Sequence, residues 1–157
     1  MNISFIHEPV PTWLSRFRFS RPFEVRFSDI DVYGHVNNVI YFRYFEQARI
    51  DYFQHLGLFD LFFDESSTSM IVTADLYCQY VSPVTMREKI ATYVRTVEIG
   101  ISSIELHYAV LTDAPEKRLV AVGRGRLVHV DRKTGKSAPL PESIREALRN
   151  FEGLEPS

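Results

Sequence analysis

The segment from Asp29 to Asn38 is the part of the chain that is richest in groups able to do chemistry. Its sequence, DIDVYGHVNN, contains these candidates: Asp29, Asp31, His35, Asn37 and Asn38. The stretch that follows, Val39 to Phe53, has no Gly or Pro and is mostly apolar, which predicts one long helix. The N-terminus of a helix offers unpaired N–H groups and a partial positive charge. A carboxylate held beside such donors can attack a carbonyl group while the donors stabilise its oxygen.

The two aspartates of this segment need not have the same role. Asp31 is a candidate nucleophile or general base, whereas aspartate before a helix is also a common cap or turn residue. Local sequence favours the structural role for Asp29 and leaves both roles open for Asp31. His35 could act as a base, although histidine in a turn is more often a hydrogen-bonding loop residue. Asn37 is expected to hold the turn, and Asn38 could orient an attacking water.

Other residues along the chain are weaker candidates for catalysis or metal binding. Glu46 is a second candidate base, but its spacing from Arg49 favours an ion pair between them. His107 and His129 lie on different predicted strands without metal-ligand spacing, so no metal site is expected. The chain has no nucleophile elbow, phosphate-binding loop or dinucleotide fingerprint.

Composition narrows the class of protein. The 157 residues, with 45% apolar and 24% charged, suit one globular domain. A net charge of −2 argues against general nucleic-acid binding. The single cysteine, Cys78, excludes an intramolecular disulfide and suggests a reducing compartment. The N-terminus does not resemble a signal peptide and no stretch has the length of a membrane span, so a cytoplasmic location without membrane contact is expected.

The apolar pattern predicts one strand, a long helix, four consecutive strands and a short C-terminal helix. The helix should start around Val36 to Val39 and stop at Gly57, and the segment from 58 to 69 could add a short helical turn. The predicted strands are 21–28, 70–81, 89–99, 103–111 and 119–131, and the last helix is 141–151. Consecutive strands imply an antiparallel sheet, and a helix that is apolar on most sides implies that the sheet wraps around it. This is an α+β fold, with residues 1–20 as an N-terminal arm and residues 21–152 as a single domain.

Two further features of the chain concern close packing and charge. Gly123 and Gly125 share one face of the last strand, which indicates close approach by a helix, a neighbouring subunit or a ligand. Basic residues cluster around the same strand and its turn, where they could meet phosphates or simply cover the sheet. The candidates for phosphate contact are Arg124, Arg126 and Arg132.

The run DIDVYGHVNNVIYFRYFEQAR resembles the signature of hot-dog-fold acyl-CoA thioesterases of the 4-hydroxybenzoyl-CoA thioesterase type. YVSP at 80–83 and VHVDRKTGKSAPLP before the last helix support the resemblance. It implies a five-stranded antiparallel sheet wrapped around one long helix, and subunits joined sheet edge to sheet edge in a homodimer or homotetramer. The resemblance also places an acyl-CoA thioester at the subunit interface and implies an activity that requires no cofactor. The Asn37-Asn38 pair, where some members have Tyr-His, puts the chain in the Gly-His-Val-Asn-Asn branch.

The resemblance assigns roles to individual residues. Asp31 matches the catalytic aspartate, and the N–H that polarises the thioester carbonyl falls near Asn38, with His35 part of the signature. Tyr41 and Phe45 are candidates for the acyl pocket, although both are first of all core candidates. The expected activity is hydrolysis of acyl-CoA or acyl carrier protein thioesters. A non-catalytic acyl-thioester-binding or scaffold protein is the alternative, and a hot-dog dehydratase ranks third because no suitable histidine–carboxylate pair is found.

Overall fold

Residues 1–156 are described by a computed structural model, in which one antiparallel sheet curves around a central helix. In chain order the elements are α1 (Val10–Ser15), β1 (Phe19–Glu24), a 3₁₀ turn (Phe27–Asp29), α2 (Ile40–His55), α3 (Phe59–Phe63), β2 (Ser69–Tyr80), β3 (Lys89–Ile99), β4 (Ser103–Thr112), β5 (Leu119–Asp131) and α4 (Glu142–Glu152). The five strands have the order β1-β3-β4-β5-β2. The α+β fold predicted from the sequence is therefore confirmed, and β2 is one of the two edge strands.

Helix α2 supplies much of the hydrophobic core. Its predicted apolar face is buried as expected: Tyr41, Tyr44, Phe45, Ala48 and Tyr52. This face packs on the side chains of β4 that point towards the helix, and Phe45 stacks on Tyr108 with ring centroids 4.6 Å apart. Because α2 is surrounded by protein on this face, it is held by burial of aromatic surface rather than by helix propensity alone.

Strand β2, strand β4 and helix α4 differ from the predicted ranges by a single residue at one or both ends, whereas β1 and the start of α2 differ for reasons that the structure shows. Strand β1 spans Phe19–Glu24 instead of 21–28, because the chain turns into the 3₁₀ segment, where the Arg26 N–H donates to the Asp29 carboxylate at 3.0 Å. Helix α2 begins at Ile40 rather than at Val36 to Val39. The Asn37 carbonyl accepts the N–H of Ile40 at 3.0 Å, so the chain before it forms a turn.

The close approach predicted for the two glycines has two different causes. A Cβ on Gly123 would lie 2.6 Å from the ring of Phe45 and 2.9 Å from the carbonyl of Tyr77, so α2 is the element that approaches there. A Cβ on Gly125 would lie 2.8 Å from the side chain of Leu76 on β2. Of the three predicted explanations, a helix is the right one for Gly123.

The N-terminal arm packs on the outer face of the sheet, which is the face opposite α2. Ile3 and Trp13 are buried in a second apolar cluster together with Ala109, Leu111 and Val122. Strand β1 already begins at Phe19, so the end of the arm belongs to the sheet. The division into an arm of residues 1–20 and a single domain of residues 21–152 stays a prediction. None of the helices within residues 1–156 is long and apolar enough to cross a bilayer.

His107 on β4 links the arm to the sheet. The indole N–H of Trp13 donates to its Nδ1 at 3.1 Å, and its Nε2 lies 3.4 Å from the Glu105 carboxylate. Burial is the main cause that lowers the pKa of His107 to about 4, and the positive charges of Arg95 and Arg124 also lower it, whereas Glu105 opposes the shift. With Nδ1 accepting a hydrogen bond, the ring is neutral and carries its proton on Nε2.

Acidification is expected to weaken the fold through His107. The pKa is about 4 in the folded state and about 6.5 when unfolded, so the stability contributed by the neutral ring is complete above about pH 6.5. It is lost as the pH falls from 6.5 towards 4. Between pH 7 and pH 4.5 we expect the free energy of unfolding to fall by about 2 kcal/mol more in the wild type than in His107→Asn. Asparagine keeps an acceptor for Trp13 but does not titrate.

Urea unfolding at the two pH values measures this difference. His55→Asn is the control, because it makes the same change of histidine to asparagine at an exposed position on α2, away from Trp13 and Glu105. Equal acid sensitivity of the wild type and His107→Asn would contradict the prediction.

Candidate active site

The segment that carries the candidate catalytic groups folds as a tight hairpin between the 3₁₀ turn and α2. The Asp31 N–H donates to the His35 carbonyl at 2.9 Å, and the Gly34 N–H donates to the Asp31 carbonyl at 3.0 Å. Gly34 has a φ of +79°, a left-handed conformation that favours glycine. The Val36 N–H donates to Val84 at 2.9 Å. These bonds fix the backbone on both sides of Asp31.

The Asp31 carboxylate is half-buried and only one of its oxygens is held by the protein. Oδ1 accepts the N–H of Tyr33 at 2.9 Å. No donor within residues 1–156 contacts the other oxygen, Oδ2. The neighbouring side chains of Val32 and Tyr33 are 95% and 82% exposed. The carboxylate is therefore oriented by the turn and has one oxygen available for a substrate or a water.

Asp29 has a different environment although it lies two residues earlier. Its residue is only 3% exposed, and Oδ2 accepts hydrogen bonds from the Arg26 N–H at 3.0 Å and the Tyr44 hydroxyl at 3.1 Å. Its carbonyl accepts the Asn37 N–H at 2.8 Å. Burial, followed by the charge of Asp29, raises the pKa of Tyr44, which stays a donor. Asp29 thus joins the hairpin to α2 and has a structural role.

The two asparagines lie at the start of α2 and use different groups. Asn37 Oδ1 accepts the N–H of Val39 at 3.1 Å, which is a structural contact. The Asn38 carbonyl accepts the hydroxyl of Tyr80 at 2.7 Å, and its N–H has no protein acceptor in the described part of the chain. The His35 ring also has no hydrogen-bond partner among residues 1–156. The N–H of Asn38 is therefore an open donor at the helix start.

A cavity of about 400 Å³ lies beside this helix start, between α2 and the edge strand β2. Its lining residues are Val39, Ile40, Phe42, Arg43, Glu46, Arg49, Thr73 and Leu76. Sequence reasoning missed Phe42 and Arg43 as site residues, although the helical period places them with Val39 on one side of α2. Phe42 is partly buried there and also packs against the core.

Glu46 and Arg49 both line this cavity, but the ion pair predicted between them is wrong for the described structure. Arg49 instead donates to the hydroxyl of Tyr108 at 3.4 Å, because a buried phenol oxygen needs a polar partner. Glu46 is exposed and makes no ion pair within residues 1–156. A carboxylate thus remains free in the wall of the cavity.

The remaining candidate residues lie away from this cavity. Tyr41 and Phe45 are 3% and 0% exposed and belong to the core, so their role in an acyl pocket stays a prediction. Arg124 pairs with Glu105 at 3.1 Å, and Arg126 pairs with the same carboxylate at 2.9 Å, both on the outer face of the sheet. Their role in phosphate binding also stays a prediction.

Arg132 and two other arginines are further cations that could meet a phosphate. Arg132 donates from Nε to the Ser67 carbonyl at 2.9 Å. Arg26 and Arg43 make no ion pair within residues 1–156 and line a cleft of about 260 Å³ beside Asp29. They were not found from the sequence, because only the folded chain brings the 3₁₀ turn and α2 together.

Thiol and metal chemistry have little support among the described residues. Burial raises the pKa of Cys78 to about 12, so its thiol is protonated at neutral pH. No group of three or more His, Cys, Asp and Glu side chains between residues 1 and 156 is arranged to hold a metal ion.

The fold and the helix-start loop define a class of protein, the hot-dog thioesterases. A family model for the thioesterase-like superfamily matches residues 25–148, and the chain belongs to this superfamily. The crystal structure of a thioesterase from Thermus thermophilus, complexed with coenzyme A and Zn, is 34% identical, with a TM-score of 0.75 over 88% of this chain and 98% of that one.

Two curated proteins are similar over most of their length. The uncharacterized protein YsmA of Bacillus subtilis is 34% identical over 145 residues, which is 92% of this chain and 95% of YsmA. The long-chain acyl-CoA thioesterase FadM of Escherichia coli is 28% identical over 128 residues, 82% of this chain and 95% of FadM. Membership of a thioesterase family supports hydrolase activity on thioesters.

Proposed function

We propose that this protein hydrolyses acyl-CoA thioesters to a free acid and CoA, as a member of the Gly-His-Val-Asn-Asn branch of the 4-hydroxybenzoyl-CoA thioesterase-like family. The observation that carries the proposal is the Asp31 carboxylate, which the turn orients through one oxygen while the other has no protein donor within residues 1–156. Two relatives support the choice of substrate, because one is described as bound to coenzyme A and the other as a long-chain acyl-CoA thioesterase.

The chemistry requires a nucleophile and a donor for the carbonyl oxygen. Asp31 either attacks the thioester carbon, giving a mixed anhydride that water then hydrolyses, or takes a proton from a water that attacks directly. In both routes the carbon–sulfur bond breaks and the CoA thiolate leaves and is protonated. The open N–H of Asn38, at the positive end of α2, stabilises the negative charge that develops on the carbonyl oxygen. Neither route needs a metal or cofactor.

The cavity beside α2 suits part of an acyl chain. Val39, Ile40, Phe42 and Leu76 give it apolar walls, and it lies next to the helix start that carries Asn38. Tyr41 and Phe45 are proposed as the deeper contacts of a longer chain. The phosphates of CoA are proposed to contact Arg124, Arg126 or Arg132, with Arg43 as a further cation closer to the helix start.

We also propose that the active unit is a homodimer or homotetramer with the site at a subunit interface. Val32, Tyr33 and Val39 are 95%, 82% and 63% exposed around the candidate site, and apolar groups of this kind are commonly covered by a partner. Strand β2 has one unpaired edge along its 12 residues, which can pair with the same strand of a second copy. The free Cys78 suits a cytoplasmic location.

A thiol-trapping assay with a panel of acyl-CoA substrates tests this function. We expect release of CoA from at least one of acetyl-, octanoyl-, palmitoyl- and benzoyl-CoA, at a rate well above spontaneous hydrolysis and proportional to enzyme concentration. The same acyl groups on acyl carrier protein distinguish the two carriers. Thermal stabilisation by an acyl-CoA without release of thiol would contradict hydrolysis and favour the non-catalytic binding protein.

A further inference from the structure

A second cavity, of about 360 Å³, lies on the outer face of the sheet beneath the N-terminal arm. Its lining residues are Phe5, Ile6, His7, Glu8, Trp13, Arg16, Arg95, Val97 and His107. His107 alternates along β4 with Leu106 and Tyr108, which face α2, so this cavity is on the opposite side of the sheet from α2. It shares no lining residue with the cavity beside the helix start.

The unusual group in this cavity is the guanidinium of Arg95. Arg95 is 8% exposed, and its side chain makes no hydrogen bond or ion pair with any residue from 1 to 156. Its Nε is buried without an acceptor. Burial lowers the pKa of Arg95 from its usual value, but a guanidinium remains protonated in proteins. The charges of Glu152 and Glu8 oppose this shift, but neither carboxylate bonds to Arg95. Burying a cation without a directly bonded anion is costly, so this group calls for an anionic partner.

The other charged groups in the wall of the cavity are matched within the protein. Arg16 donates to both oxygens of Glu8, at 3.0 Å from Nε and 2.9 Å from one terminal nitrogen. The neutral ring of His107 accepts from Trp13 and lies against Glu105, which also binds Arg124.

The negative charge of Glu152 also acts on Arg95, but the Glu152 carboxylate accepts hydrogen bonds from the Tyr52 hydroxyl and the Thr96 N–H and makes no ion pair with Arg95. Arg95 therefore has no directly bonded anionic partner among residues 1–156. Because Arg16 and Glu8 balance each other in the wall, Arg95 leaves one net positive charge there, so the fitting partner is a monoanion.

The walls of the cavity indicate the rest of the ligand. Phe5 and Trp13 contact each other edge to face with centroids 6.3 Å apart, and Ile6 and Val97 add aliphatic surface. The volume lies near the lower end of the range for small-molecule pockets. An apolar lining with a single cation that has no ion-pair partner matches a short hydrocarbon or aromatic body that ends in one carboxylate.

We propose that this outer-face cavity is a binding site for a small monocarboxylate with an apolar body, whose carboxylate pairs with Arg95. A guanidinium binds a carboxylate through two parallel N–H donors, which gives both affinity and orientation. This binding site includes neither Asp31 nor the start of α2, so the proposal does not depend on the proposed hydrolysis.

Trp13 is the single tryptophan of the chain and forms part of the cavity wall, so its fluorescence reports binding directly. We expect saturable quenching or a spectral shift when octanoate is titrated, and at least about tenfold weaker binding to Arg95→Met, as loss of a charge-assisted pair implies. Octanol, without the charge, and inorganic phosphate, without the apolar body, should each bind at least about tenfold more weakly than octanoate. Arg87→Met is the matched control, because it removes the same charge from an exposed position outside the cavity and should bind octanoate normally.

The melting temperature and the oligomer size of Arg95→Met distinguish loss of the binding site from loss of the fold or of the oligomer. Methionine replaces an unpaired buried cation by an apolar chain, so Arg95→Met should melt at the wild-type temperature or above it. Absence of saturable binding to the wild type, unchanged octanoate affinity in Arg95→Met, or equally tight binding of octanol or phosphate would each overturn the proposal. A lower melting temperature of Arg95→Met together with a smaller oligomer would also overturn it, because a carboxylate of a second copy would then be the partner of Arg95.

Discussion

Asp31→Asn is expected to lower the rate of acyl-CoA hydrolysis by about a hundredfold or more, as loss of a central catalytic group commonly does. Asparagine has nearly the same shape and keeps an oxygen that can accept the N–H of Tyr33, so the turn that orients the side chain should persist. It has no negative charge, and therefore can neither attack the thioester nor take a proton from water. The measurement is kcat for thiol release from the best substrate of the acyl-CoA panel.

Asp29→Asn is the matched control for this experiment. The same change of carboxylate to amide is made two residues away, at a side chain whose contacts are all structural. We expect a turnover within a few-fold of the wild type and some loss of stability, while size-exclusion chromatography shows the same oligomer for both variants. Near-normal turnover by Asp31→Asn would rule out Asp31, and equal losses in both variants would mean that the hairpin, rather than one carboxylate, had been disrupted.

The second large effect is expected in the core, where β5 meets α2. Phe45 is fully buried and stacked on Tyr108, so Phe45→Ala should lower the free energy of unfolding by about 3–5 kcal/mol. Gly123→Ala should lower it by about 1–3 kcal/mol, because the new Cβ would lie 2.6 Å from the Phe45 ring. In the double variant the new methyl group occupies space that the ring has left, so the loss should be smaller than the sum of the single losses by about 0.5–3 kcal/mol.

Urea unfolding of the four proteins in this double-mutant cycle gives the coupling energy. Gly125→Ala provides the comparison, because its Cβ would meet the flexible end of Leu76 rather than Phe45. Combined with Phe45→Ala, it should show a smaller coupling energy than Gly123→Ala does, because the two sites share only Tyr108, which would lie 3.7 Å from the new Cβ. Additivity of Gly123→Ala with Phe45→Ala would show that the helix is not what requires glycine at position 123.

Much of the fold follows from local patterns of residues. The predicted third and fifth strands coincide with β3 and β5, since each combines residues that favour a pleated conformation with a turn at its end. The buried face of α2 was predicted from its 3.6-residue period, and the C-terminal helix from Pro141 and the apolar spacing after it. The largest differences lie at β1 and at the start of α2, where the side chains of Asp29 and Asn37 bond to the backbone. Strand β1 therefore ends earlier than predicted, and α2 begins later.

The sequence by itself determined that a carboxylate-bearing loop precedes a buried helix, that an antiparallel sheet surrounds this helix, and which residues could do chemistry. These follow from the order, spacing and polarity of neighbouring residues. Only the tertiary structure decided which partner each polar group has: two aspartates with identical side chains became a buried anchor at Asp29 and a partly free carboxylate at Asp31. It likewise paired Arg124 with Glu105 and left Arg95 buried beneath the N-terminal arm. The physical reason is that the environment of a charge is set by strand register and packing between segments far apart in the chain, which local spacing does not encode.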